Sequence, residues 1–187
     1  PAAQRTPYTP ADALLREVGT PDVYAILHGQ RHLISGPASF AEYGYRWSQV
    51  RVVSRAQLER YPLADLVRLP KDTAVYHLYQ RPDNRWLKLS LPSPTAFISY
   101  PKNLWGNIVV INHFDLDSYP TATLVRSTNA PGVYQLDGRN KQIIPSMQVF
   151  EALRLHLADI VLVSQTHLDS YATLGPLNSG AVAAATK

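Results

Sequence analysis

The chain has 187 residues, 45% hydrophobic and 17% charged, with 15 prolines, 11 tyrosines, no cysteine, and 18 basic against 14 acidic side chains for a net charge of +4. That length is enough for one domain with a real core, and the composition excludes a disordered polar tail, a long-helix protein, a disulfide scaffold and any thiolate site. The charge excess is small and its arginines are scattered, which argues against a nucleic-acid partner, and no apolar run approaches the roughly 20 residues of a membrane span.

Residues 1–13 read as an extended, proline-punctuated lead-in, a start that follows either loss of an initiator Met or cleavage of an export signal. Leu14-Leu-Arg16 is then a short extended segment. Val23-Tyr24-x-Ile26 predicts a strand, Leu27-His-Gly-Gln30 a turn, and Arg31–Ile34 the return strand of a hairpin. Gly36-Pro37 starts a helix that puts Phe40 on its buried face and stops at Gly44. Val50–Val53 predicts a third strand, and Ser54-x-x-Gln57 is a capping box for a short helix carrying Leu58, followed by Tyr61-Pro62 and Leu66-Val-Arg68.

The same series recurs twice. Val75-Tyr76 and Val133-Tyr134 repeat Val23-Tyr24, and Arg16, Arg68 and Arg126 each stand seven residues before the Val. Phe40, Phe97 and Phe150 align, then Trp47, Trp105 and Leu157, and then Leu58, Leu116 and Leu168, always 11 residues after the Trp position. The second copy is longer around the turn Gln80–Arg85, where insertions into repeat arrays usually fall. The expected fold is therefore β-rich α+β. Three tandem β-hairpin-plus-short-helix repeats, about 20–71, 72–129 and 130–178, form one domain over 14–178, as a short solenoid or with pseudo-threefold closure. Residues 179–187 read as a flexible tail.

Val-Tyr-x-Ile, Arg-x-x-Ile, Phe, Gly44-Tyr45-x-Trp47, Val-x-x-Val, Leu and Tyr-Pro together resemble the roughly fifty-residue tandem repeats of exported bacterial surface and cell-wall-associated proteins. The resemblance implies an extracellular or cell-surface module that attaches to the envelope, with wall polymer or another polysaccharide as partner, and it brings no catalytic residue. The alternatives are a self-assembling subunit of a surface layer or filament, whose partner is a copy of itself, and, more weakly, a secreted hydrolase.

No motif of a cofactor site or known nucleophile occurs: His-Glu-x-x-His, Gly-x-Ser-x-Gly and phosphate-cradling glycine patterns are all absent. The polar cluster Asn112–Asp117 reads as a helix cap with an acidic first turn rather than a metal site. His28, His32 and His77 fall at hairpin strands and read as surface residues. Tyr24, Tyr76, Tyr134, Trp47 and Trp105 read as core positions required by the repeat. The aromatics outside that aligned set, Trp86, Tyr79, Tyr43, Tyr45 and Tyr100, are the candidates for ligand contact, since an apolar body with a polar tip suits sugar rings.

Overall fold

A computed structural model describes residues 7–83 and 85–177. The elements are β1 (Ala13–Glu17), β2 (Val23–Leu27), β3 (Gln30–Leu33), α1 (Pro37–Glu42), a 3₁₀ turn (Trp47–Gln49), β4 (Val50–Val53) and α2 (Arg55–Leu58). Next come β5 (Leu66–Arg68), β6 (Val75–Gln80), β7 (Trp86–Leu91), α3 (Pro94–Ile98), a 3₁₀ turn (Trp105–Asn107), β8 (Val109–Val110) and α4 (His113–Ser118). The last series is β9 (Leu124–Ser127), β10 (Val133–Asp137), β11 (Asn140–Ile143), α5 (Met147–Ala152), a 3₁₀ turn (Leu157–Asp159), β12 (Ile160–Val163), α6 (Gln165–Asp169) and β13 (Ala172–Thr173). The fold is mixed α+β and β-rich, with open sheets. The 3₁₀ turns have no counterpart among the elements expected from sequence.

Local chemistry explains most of these boundaries. His28 and Gly29 both take positive φ, 50° and 71°, in the two-residue loop between β2 and β3, the geometry of a type I′ hairpin. Ser93 and Ser146 cap α3 and α5 by accepting from Ala96 N–H and Val149 N–H, while Gly36 caps α1 without a side-chain bond. Ser54 and Gln57 form the capping box at α2. After α1 the chain turns through Gly44 at φ 72°, whereas Arg154, the corresponding residue after α5, holds φ 52° with a side chain attached. Arg154→Gly is therefore expected to raise stability by about 0.5–1 kcal/mol, read as a higher urea midpoint at unchanged slope.

The chain folds into two compact bodies. One runs up to Leu78 and takes in Asn103–Pro120; the other comprises Tyr79–Lys102 and the chain from Thr121 onward. The middle series of elements contributes to both bodies.

In the first body β1 pairs antiparallel with β2 and parallel with β4, giving a sheet ordered β3-β2-β1-β4, and β5 pairs antiparallel with β6 and parallel with β8. Leu15, Ile26 and Leu58 form a core cluster bordered by Tyr24 and Tyr61. Part of the lead-in is fixed here: Thr9 N–H donates to Val110 O at 3.0 Å and Thr9 Oγ1 accepts from Val110 N–H at 2.7 Å. Residues 1–6 and the expected tail 179–187 lie outside the described residues.

In the second body the sheet order is β12-β9-β10-β11-β13. Leu87 and Leu89 of β7 join Val125, Val161, Val163 and Leu168 in one cluster, and Leu124, Ile144 and Phe150 form another. The segment after each second helix runs beside its hairpin, as Ala64 N to Arg31 O (3.0 Å), Ala122 N to Lys88 O (2.8 Å) and Leu174 N to Lys141 O (2.9 Å), so an open strand edge is covered each time.

Candidate binding surface

Helix α1 packs against α4 in the first body and α3 against α6 in the second, giving a helix-on-helix seam in each. In the first seam Asp115, fully buried at 0% exposure, is the focus. It accepts from His32 Nε2–H at 2.9 Å, Ser35 N–H at 2.8 Å and Tyr43 O–H at 2.8 Å. Because a carboxylate only accepts, His32 must carry its proton on Nε2. Burial pushes the carboxyl up, but the His32 hydrogen bond and charge, with the Ser35 amide, outweigh it and hold Asp115 down at about 2. The Tyr43 hydroxyl also accepts from Asn112 N–H at 3.1 Å, and Asn112 Nδ2 donates to Ser39 O at 3.0 Å. Burial, then the Asp115 charge, pushes the Tyr43 hydroxyl far up, so it stays a donor at any working pH.

The second seam repeats this arrangement with different chemistry. The Tyr100 hydroxyl accepts from Ser164 N–H at 3.2 Å and lies 2.8 Å from His167 Nδ1. His167 Nε2 faces Ser90 O at 3.1 Å, and a carbonyl only accepts, so the proton sits on Nε2 and Tyr100 donates to Nδ1. Tyr171 stacks on the imidazole, with ring centres 5.6 Å apart.

The five aromatics singled out from sequence separate accordingly. Tyr43 is buried at 5% exposure and belongs to the first seam, which corrects the expectation of a surface contact. Tyr100 is half-buried in the second. Both follow their Phe by three residues, a spacing that the two seams share. Tyr79 packs on the Leu87–Leu89 cluster with its hydroxyl 3.4 Å from that of Tyr100. Tyr45 is half-buried and stacks on Tyr43 at 5.0 Å, and burial, then the Asp115 charge, pushes its hydroxyl up to about 12. Trp86 is half-buried at the start of β7.

The surface lies elsewhere. Trp47 is 63% exposed, Trp105 56% and Leu157 64%, each the first residue of its 3₁₀ turn, which corrects the expectation that the two tryptophans are core residues. Trp47 lies flat on Phe40, ring centres 4.5 Å apart and planes 17° from parallel, so one face is held by the body and the other is open. Tyr24, Tyr76 and Tyr134 are half-buried, while Phe40, Phe97, Phe150, Leu58, Leu116 and Leu168 are buried. His32, expected at the surface, is 2% exposed, whereas His28 is exposed and His77 half-buried, 3.6 Å from Asp65. Asn112 caps α4 as expected, but the Asp115 beside it is interior. Among the described residues no group of three His, Cys, Asp or Glu is placed to hold a metal ion, and no helix is long and apolar enough to cross a membrane.

Compared with known protein families the chain matches no family model, and no curated protein is significantly similar to it.

Proposed function

We propose that this chain is a tandem-repeat, non-catalytic binding module of the cell exterior, and that it holds polysaccharide through the tryptophans at its 3₁₀ turns. The observation that carries this reading is Trp47, an indole held on Phe40 by one face with 63% of its surface exposed. A large apolar ring at that exposure costs solubility, and a fold has no internal use for its outer face. Trp105 occupies the aligned position in the same body and is also more than half exposed. The described polar residues at 0% exposure, Asp115, Asn112, Ser39 and His167, are spent inside the seams, as is His32 at 2%, which supports a binding role over a catalytic one.

Assembly into a layer or filament has less support. The N-cap N–H of α2, on Ser54, is satisfied by its own Gln57 Oε1 at 2.9 Å, and Leu153 stands three residues after Phe150 where the other copies have the seam tyrosine. Neither helix offers a second copy the bond that joins the internal seams.

The test is a titration with an N-acetylglucosamine oligosaccharide and with soluble wall polysaccharide, read by tryptophan fluorescence. Trp47→Ala and Trp105→Ala should each weaken binding about tenfold or more, with about 1 kcal/mol or less lost in stability. Trp86→Ala should leave affinity unchanged. Wild-type affinity retained by the Trp47→Ala, Trp105→Ala double variant would end the proposal.

A further inference from the structure

The arginine that precedes each Val-Tyr strand points to a second binding site. In the first two copies it is a structural clamp. Arg16 Nη1 donates to Thr20 O at 3.4 Å and Arg68 Nη1 to Asp72 O at 3.1 Å, and both side chains are half-buried. Each clamp closes a turn of the same kind, with Thr20 N–H donating to Glu17 O at 3.2 Å and Asp72 N–H to Leu69 O at 3.3 Å. The third copy keeps the turn, through Ala130 N–H to Ser127 O at 3.5 Å, but not the clamp. The Arg126 side chain is exposed and, among the described residues, makes no hydrogen bond or ion pair.

A cavity of about 390 Å³ opens at this place, lined by Arg126, Ser127, Thr128, Asn129, Pro131 and Leu162 among others. That is within the usual range of small-ligand sites, about 300–1,000 Å³. Leu162 of β12 lies directly across the strand pair from Arg126 and forms an apolar wall, 47% exposed. Among the described residues no acidic side chain lines the cavity, although the turns of the first two copies carry Glu17 and Asp72. Thr128 Oγ1 donates to Asn129 Oδ1, which leaves the Asn129 amide NH₂ without a partner among the described residues.

We propose that this cavity binds an acidic sugar, its carboxylate taken by the Arg126 guanidinium and its hydroxyls by Thr128 and Asn129. A guanidinium presents a planar fork of donors that matches an oxyanion, and among the described residues nothing in the cavity competes for it. The polar turn and the single aliphatic wall suit a polyhydroxylated ring rather than an aromatic acid. This site is in the second body and does not depend on Trp47 or Trp105.

The test is an amide NMR titration of the full chain with sodium glucuronate, glucose and inorganic phosphate. Glucuronate should give saturable shifts confined to residues 126–131 and Leu162, with glucose giving none. Arg126→Gln should weaken glucuronate about tenfold or more, and Arg126→Lys, which keeps the charge and loses the fork, should fall between the two. Because Arg126 is exposed and unpaired, the variants should fold as wild type, checked by the unchanged amide spectrum elsewhere. Glucose binding as tightly as glucuronate, or glucuronate binding unchanged in Arg126→Gln, would overturn the proposal. Phosphate binding without glucuronate binding would also overturn it, as a bare anion site.

Discussion

Asp115→Ala is expected to lower stability by about 3–5 kcal/mol, the cost of breaking a buried pair and leaving its partners uncompensated. The carboxylate is fully buried and is the common acceptor of His32, Ser35 and Tyr43, so its removal strands three donors at once. Against a typical total of about 5–15 kcal/mol, that leaves little margin. Asp115→Asn keeps the volume but turns an amide NH₂ toward a donor, and should cost about 2–3 kcal/mol, which keeps the test readable if the alanine variant does not fold. Urea unfolding at neutral pH gives both values, and a loss below about 1 kcal/mol in Asp115→Ala would contradict the arrangement.

The same carboxylate sets an acid limit. Its folded value, about 2, is below the ordinary 3.8 of an aspartate. A depressed carboxyl contributes stability that is fully present above the unfolded value and is lost as pH falls through the folded one. The wild-type urea midpoint should therefore fall between about pH 4 and pH 2, with this group accounting for about 2 kcal/mol. In Asp115→Asn that component of the pH profile should be missing.

Much of the local architecture was legible because it is written in short-range chemistry. Val-Tyr strands, the Ser54–Gln57 box, the His28-Gly29 turn and the Phe helices depend on residues within a few positions of one another. The side on which a recurring residue faces was not legible. Recurrence of Trp47 and Trp105 says that their positions correspond, not that they are interior; the first of the 3₁₀ turns that expose them is capped by Gln49 accepting from Arg46 N–H, without the Ser or Thr that marks such a box in sequence. The seams were hidden for another reason: His32 and Asp115 are 83 residues apart, and Tyr100 and His167 are 67 apart. A signal did exist in the shared spacing of Tyr43 and Tyr100 behind their Phe residues, and Leu153 breaks it.

The two seams differ in a coordinated way, and the difference predicts which exchanges the fold accepts. Counting back from Phe40, His32 and Ser35 stand eight and five residues away; the positions equally far before Phe97 are Leu89 and Pro92. Leu89 has no polar donor and Pro92 has no N–H, so two of the three donors that converge on Asp115 are absent from the second seam. The residue at the focus changes with them, from a carboxylate to His167, which takes one proton from Tyr100 and gives one to Ser90 O.

His167→Asp should therefore cost about 3–5 kcal/mol, since a buried carboxylate there would face the Ser90 carbonyl and would lack the backbone N–H and imidazole donors that Asp115 has, with tyrosine hydroxyls, Tyr100 and Tyr171, beside it instead. Asp115→His should cost a similar amount, because one ring nitrogen cannot serve three donors. Adding His32→Leu to Asp115→His removes one of the two donors that the second seam lacks, leaving the Ser35 N–H in place. The double variant should be more stable than Asp115→His alone, and the double-mutant cycle should give a coupling of about 1–3 kcal/mol in that direction. Strict additivity of His32→Leu and Asp115→His would mean that the two positions do not act as one charge-matched site.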